Sequence, residues 1–178
     1  KSLRHVNLAR TVVERYPNVW ICAWCDATAL ALNIVGGDPL VAAVVGKRAL
    51  TSANESGAAA IVRSVTANLG RLAWVPGDFA KAADYLSQAR QYTPERSSLA
   101  LGLRETEARV HLAEGRLPES LAALDDVLIQ DRSHAVSGSY VHRHALLTKA
   151  EVLSRLGRYQ EAESFFTEAA ELAARAGD

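Results

Sequence analysis

Methionine is absent from these 178 residues, cysteine occurs twice, and aromatic side chains make up only 6% of the chain. Each shortage excludes something. Two cysteines cannot build a multi-disulfide framework, so a reducing, cytoplasmic setting is the default expectation. No apolar run reaches the roughly 20 residues that span a bilayer, and no signal peptide opens the chain. The longest apolar stretch near the start, residues 19–35, is interrupted by Asp26 and Asn33. Net charge is missing too, because 20 basic and 20 acidic residues cancel. That argues against a nucleic-acid surface, which shows as a basic excess. A chain that starts at Lys1 with no methionine reads as a piece of a longer protein.

What the sequence does hold is alanine and leucine, both strong helix formers, arranged in a repeat. Aligning Gly37, Gly77, Gly115 and Gly157 brings four segments into phase, with spacings of 40, 38 and 42 residues. Five residues after each glycine stands Ala42, Ala82, Ser120 or Ala162, and twelve after stands Ala49, Ala89, Val127 or Ala169. Seven residues are about two helical turns, so these small positions share one face. Between them fall Leu86, Leu124 and Phe166, while the first copy has Gly46 there. Small residues admit a neighbouring helix, and the large one fills the gap. The glycine is expected in a left-handed cap that closes the preceding helix, and the aspartate or arginine after it opens the next. An apolar segment of helical length lies upstream of each glycine, so each repeat reads as an antiparallel helix pair.

The segment NLGRLAWVPGDFAKAADYLSQARQYTP, through Leu69, Gly70, Gly77, Phe79, Ala82, Leu86, Ala89 and Pro94, resembles the tetratricopeptide repeat family. The fourth copy is similar through Ala150, Gly157, Tyr159, Ala162, Phe166 and Ala169. The resemblance implies an all-α, right-handed solenoid of antiparallel helix pairs. It divides the chain into a trailing helix of a preceding repeat (1–17) and four repeats at about 18–55, 56–95, 96–133 and 134–178. The units exceed the family's usual length of about 34 residues. Long units ending in ELAARAGD are similar to the helical repeats of MalT-like, LuxR-type bacterial regulators.

Chemistry-bearing motifs are few. Cys22 and Cys25 form a C-x-x-C pair inside a helical segment, with no βαβ pattern for a redox dithiol and no second pair to complete a zinc site. They read as small buried hydrophobes. VVGKRA at 44–49 fails as a phosphate loop, since Val41 stands where glycine is needed and Arg48 follows Lys47; Lys47 and Arg48 read as an exposed helix face. His134, His142 and His144 lie close in sequence, but residues two apart on a helix point to opposite sides. No nucleophile or acid–base constellation appears, and no metal or other cofactor is expected.

Function then rests on surface. In the family that the chain resembles, the first helix of each pair lines a concave groove. Carried over, the groove positions are Trp24, Ala27, Ala31 and Ile34; Ser64, Ala67, Arg71 and Trp74; Glu105, Arg109 and Leu112; and His144, Leu147, Glu151 and Arg155. Arg71 and Arg109 have the geometry to clamp a carboxylate, with Trp74 as an apolar shelf. The competing reading has these charges in inter-repeat salt bridges. Ser64, Ala67 and Arg71 do not reproduce the carboxylate clamp of chaperone-binding members. The expectation is a non-enzymatic module that binds a protein or peptide segment within a larger signalling or transcriptional regulator. The alternatives are a small-inducer sensor domain of an ATP-dependent LuxR-type activator, and a self-associating scaffold, a homo-oligomer built by stacking array ends.

Overall fold

A computed structural model describes residues 2–95, 97–133 and 140–176. Among them the secondary structure is entirely helical, in the order α1 Ser2–Arg15, α2 Val19–Val35, α3 Pro39–Ser56, α4 Ala59–Trp74, α5 Phe79–Gln91, α6 Ser98–Ala113, α7 Leu117–Ser133, α8 Tyr140–Arg155 and α9 Tyr159–Ala176. Two compact units result, residues 1–93 and 94–178.

Local signals set the helix ends. Asn18, Asp38, Asp78 and Ser97 each accept a hydrogen bond from a backbone N–H three residues on, at 3.0–3.2 Å. This satisfies a donor that the first turn leaves without a partner. Pro39 occupies the first turn of α3, where its missing N–H costs nothing. α1 stops at Arg15, short of Pro17.

The four phased glycines close the preceding helices with one geometry. Gly37, Gly77, Gly115 and Gly157 have φ between 76° and 85°. In each turn the glycine N–H bonds a carbonyl three residues back. The next residue's N–H bonds one five back, as in Asp38 to Asn33 at 3.2 Å and Arg158 to Leu153 at 2.9 Å. This is the double closure of a Schellman cap, and a side chain at the glycine is strained in it. A Cβ on Gly157 meets nothing within 4 Å, so Gly157→Ala tests the backbone alone. It is expected to cost about 1 kcal/mol, read as a lowered denaturant midpoint; an unchanged midpoint contradicts the cap's role.

In the first unit the core runs through Ala23, Ala27, Leu30, Ala42, Val45, Ala49, Ile61, Val65 and Leu69. In the second it runs through Leu101, Ala108, Leu124, Val127, Leu146 and Val152. The small repeat positions are the most deeply buried, with Ala42, Ala49, Ala82, Ala89, Ser120 and Val127 fully enclosed. Ser120 keeps this site despite its hydroxyl, which donates to the Ala108 carbonyl at 2.7 Å.

The first copy's departure at Gly46 has a partner. Seven residues before the four phased glycines stand Leu30, Gly70, Ala108 and Ala150. A Cβ on Gly46 comes within 2.7 Å of Leu69 Cδ2 and 3.4 Å of Leu30 Cδ1, while a Cβ on Gly70 comes within 3.0 Å of Leu86 Cγ and Cδ2. Gly46 thus leaves room first for Leu69 of α4 and then for the large inner residue of its own pair, Leu30. Pair two reverses this with Gly70 and Leu86. The total volume is kept while its source moves from one helix to the other.

The fourth copy corrects the expected stripe. Phe166 is 43% exposed. Its neighbour Phe165 packs against both second-unit clusters instead and lies 4.4 Å under the Lys149 ammonium. One residue along a helix is a rotation of about 100°, enough to exchange a buried ring for an exposed one.

Candidate interaction surface

The first helices of the first unit, α2 and α4, pack on each other. Along α2 the exposed residues recur at Trp20, Trp24 and Thr28, a spacing of four that marks one face. Trp20 is 54% and Trp24 38% exposed, and their rings meet edge to face with centroids 5.9 Å apart. Trp20 escaped the sequence reading, although its spacing from Trp24 was the available signal. Ala27, assigned to the groove, is instead 3% exposed and part of the core; Ala31 and Ile34 are half-buried.

On α4, Ser64, Ala67 and Trp74 are half-buried, and Arg71 is exposed. Arg71 has no ion pair among the described residues. The Trp74 indole Nε1 is buried without a hydrogen-bond partner among them. α4 contains no acidic residue. The single acid of α2, Asp26, is 4% exposed. Its Oδ1 pairs with Arg48 Nε at 2.9 Å and Arg10 Nη1 at 3.3 Å, and its Oδ2 accepts from the Ser52 hydroxyl at 3.0 Å. Arg48 therefore does more than line an exposed face: it turns back onto the carboxylate. Between them, α2 and α4 expose two tryptophan rings and a guanidinium, and no carboxylate.

The second unit is arranged differently. Arg109 donates through Nε to Glu105 on its own helix at 2.5 Å and through Nη2 to His144 Nδ1 on α8. Since arginine carries donors only, that nitrogen of His144 is the acceptor. The Thr148 hydroxyl approaches Glu105 at 3.4 Å, and Tyr140 lies 4.0 Å from the His144 ring. Arg155 bonds the Leu112 carbonyl of α6 at 3.2 Å and Glu151 at 2.8 Å. Leu147 is exposed. The Arg109–His144, Thr148–Glu105 and Arg155–Leu112 bonds link α6 to α8. Arg109 thus bonds both Glu105 and His144.

The cysteines are free thiols, Cys22 half-buried and Cys25 buried. Burial pushes the Cys25 thiol up from its ordinary value, and the neighbouring Asp26 carboxylate adds to the shift. A thiol held protonated in this way is a poor nucleophile and a poor metal ligand. His142 is buried and His144 half-buried, while His134 lies outside the described residues. No group of three or more His, Cys, Asp or Glu side chains among the described residues is placed to hold a metal, and no helix there is long and apolar enough to cross a membrane.

Comparison with known proteins agrees with this architecture. Residues 76–138, from the turn before α5 through α7, match the tetratricopeptide repeat model. No curated protein matches the chain. Among solved structures, the chain is similar to the nearly identical TPR-like repeats of a Podosopora anserina protein described as a kinesin light chain. Two crystal structures of it superpose with TM-scores of 0.69 and 0.66 at 13% identity, covering 98% of this chain and 86% of that one. BtubC (BKLC) from P. vanneervenii superposes with a TM-score of 0.53 at 17% identity, covering 99% and 89%. The chain thus has the all-helical fold of TPR-like repeats, with a tetratricopeptide repeat match at residues 76–138.

Proposed function

We propose that the chain is a non-enzymatic interaction module that takes a protein or peptide segment on the surface shared by α2 and α4. In this reading it serves a larger cytoplasmic regulator of the LuxR-like kind that its long repeats resemble. The observation that carries the binding role is the exposed Trp20–Trp24 pair on a surface whose one exposed cation, Arg71, has no ion pair among the described residues. Tryptophan and arginine dominate the energetics of protein interfaces, because both combine apolar area with fixed donors. The rings supply an apolar shelf, and Arg71 supplies a planar fork for a carboxylate on the incoming segment. Trp74 supports the same surface. Glu105, Arg109, His144, Glu151 and Arg155 hold α6 and α8 in register.

The test is a random peptide library selected against the whole chain, with selected sequences rebound to variants. Trp24→Ala and Arg71→Ala are each expected to weaken the selected peptides by roughly tenfold or more. Arg109→Ala is expected to lower stability with affinity little changed. Peptides that bind both surface variants as tightly as the parent chain exclude this surface. A small molecule retained from lysate in place of a peptide supports the inducer-sensing alternative.

A further inference from the structure

The outer helix of the first pair carries a patch that its three counterparts lack. On α3, Leu40, Val41 and Val44 are 81%, 44% and 70% exposed, and Val35, just across the turn, is 81% exposed. At the three α3 positions the later copies carry Ala80, Lys81 and Asp84; Pro118, Glu119 and Ala122; and Gln160, Glu161 and Ser164. The fold is built with polar or small residues there three times out of four, so it does not require the aliphatic set. Four aliphatic side chains clustered in the open are an interaction signal, whereas scattered ones are ordinary.

Charge flanks the patch on both sides. Asp38 lies at its N-terminal edge, with Oδ1 accepting from the Val41 N–H at 3.0 Å and Oδ2 without a bond among the described residues. Lys47 lies at the other edge, exposed and without an ion pair among the described residues. We infer that a second copy of this chain docks here, through two α3 helices packed antiparallel about a two-fold axis. An axis passing between residues 42 and 43 sets Val41 against the partner subunit's Val44. The same operation sets Lys47 against the partner subunit's Asp38, once on each side of the axis. A surface that complements itself in shape and in charge is what an isologous dimer needs. The zero net charge leaves no long-range repulsion between copies.

The area is sufficient for a reversible dimer. An aliphatic side chain contributes on the order of 100 Å² of apolar surface. At the observed exposures the four give roughly 300 Å² per copy, about 600 Å² for two. With the polar rim that makes up somewhat over 40% of such contacts, the total comes to about 1,000 Å². That is the lower bound for a specific interface. Apart from Val35 at the end of α2, the patch lies on the second helix of a pair, away from Trp20, Trp24 and Arg71, so the dimer stands or falls separately from peptide binding.

Sedimentation velocity of the whole chain, from low micromolar to several hundred micromolar, tests this. The mass is expected to rise from monomer to dimer and no further. Val44→Asp borrows the residue that α5 carries at this position, and it is expected to raise the dissociation constant by at least about tenfold, an effect of more than about 1.4 kcal/mol. Lys47→Asp is expected to weaken the dimer too, and Asp38→Arg/Lys47→Asp to restore most of it. That swapped pair is what the third copy already carries as Arg116 and Asp125. Circular dichroism melting establishes that each variant is folded at the working temperature. A monomer throughout, growth beyond a dimer, a dimer indifferent to Val44→Asp, or a charge swap that restores nothing overturns the proposal.

Discussion

Leu86→Ala is expected to destabilise the first unit by about 3–5 kcal/mol, toward the top of the range for a buried leucine. Leu86 is 1% exposed, and its Cγ and Cδ2 lie over Gly70. A glycine has no side chain with which to collapse into the vacated space, so the cavity stays open. All three tryptophans, Trp20, Trp24 and Trp74, lie in the first unit. Tryptophan fluorescence, excited selectively over tyrosine, therefore reports that unit alone, where a whole-chain signal mixes two. The reverse substitution, Gly70→Ala, gains about 1 kcal/mol of helix propensity. It also drives a Cβ to 3.0 Å from Leu86 and 3.3 Å from the Ala82 carbonyl oxygen, so overpacking of about 1–3 kcal/mol opposes the gain. Gly70→Leu combined with Leu86→Ala copies the first pair's arrangement and is expected to recover part of the loss. Additive effects in that cycle exclude the volume exchange.

The second large effect is expected at Asp26→Ala, about 3 kcal/mol. Removing one member of a buried ion pair strands the others. Here the side chains of Arg10 and Arg48 are 32% and 42% exposed, so water recovers them in part and the cost falls at the low end. The loss is local in character. Among the described side chains of α1 only Val13 is buried, with Val6 half-buried, and the Arg10–Asp26 pair joins the helix to α2. Amide exchange in α1 is thus expected to accelerate more than in α3 or α4. A cost under about 1 kcal/mol, or unchanged exchange in α1, removes Asp26 from this role.

The helix pairs were legible in the sequence because each rests on residues with few physical substitutes. Glycine alone takes a φ near 80° without strain, and mostly small residues at fixed spacing permit close helix approach. Phe166 misled because two phenylalanines stand side by side, and the periodicity does not say which one faces the core. The contact with Lys149, sixteen residues earlier, decides it. Asp26 read as a mere interruption of an apolar run, since its partners Arg10, Arg48 and Ser52 come from two other helices. The candidate surface was legible in residue type more than in direction. Trp24 and Arg71 are exposed, but Ala27 is buried and Trp20 is exposed beside Trp24. The pairing of Arg109 with His144 spans 35 residues, beyond any local pattern.

The exchange of bulk between Leu30 and Gly46, and between Gly70 and Leu86, bears on how similar repeats find their proper mates. While the chain is being made, α2 and α4 compete for whichever outer helix is at hand, and misassembly is the common failure of repeat proteins. Were α2 to capture α5, Leu30 would collide with Leu86. Were α4 to take α3 as its hairpin mate, Gly70 would lose the Leu86 side chain that covers it. Each wrong union is disfavoured, one by clash and the other by lost packing, so the unequal glycines would favour the proper mates.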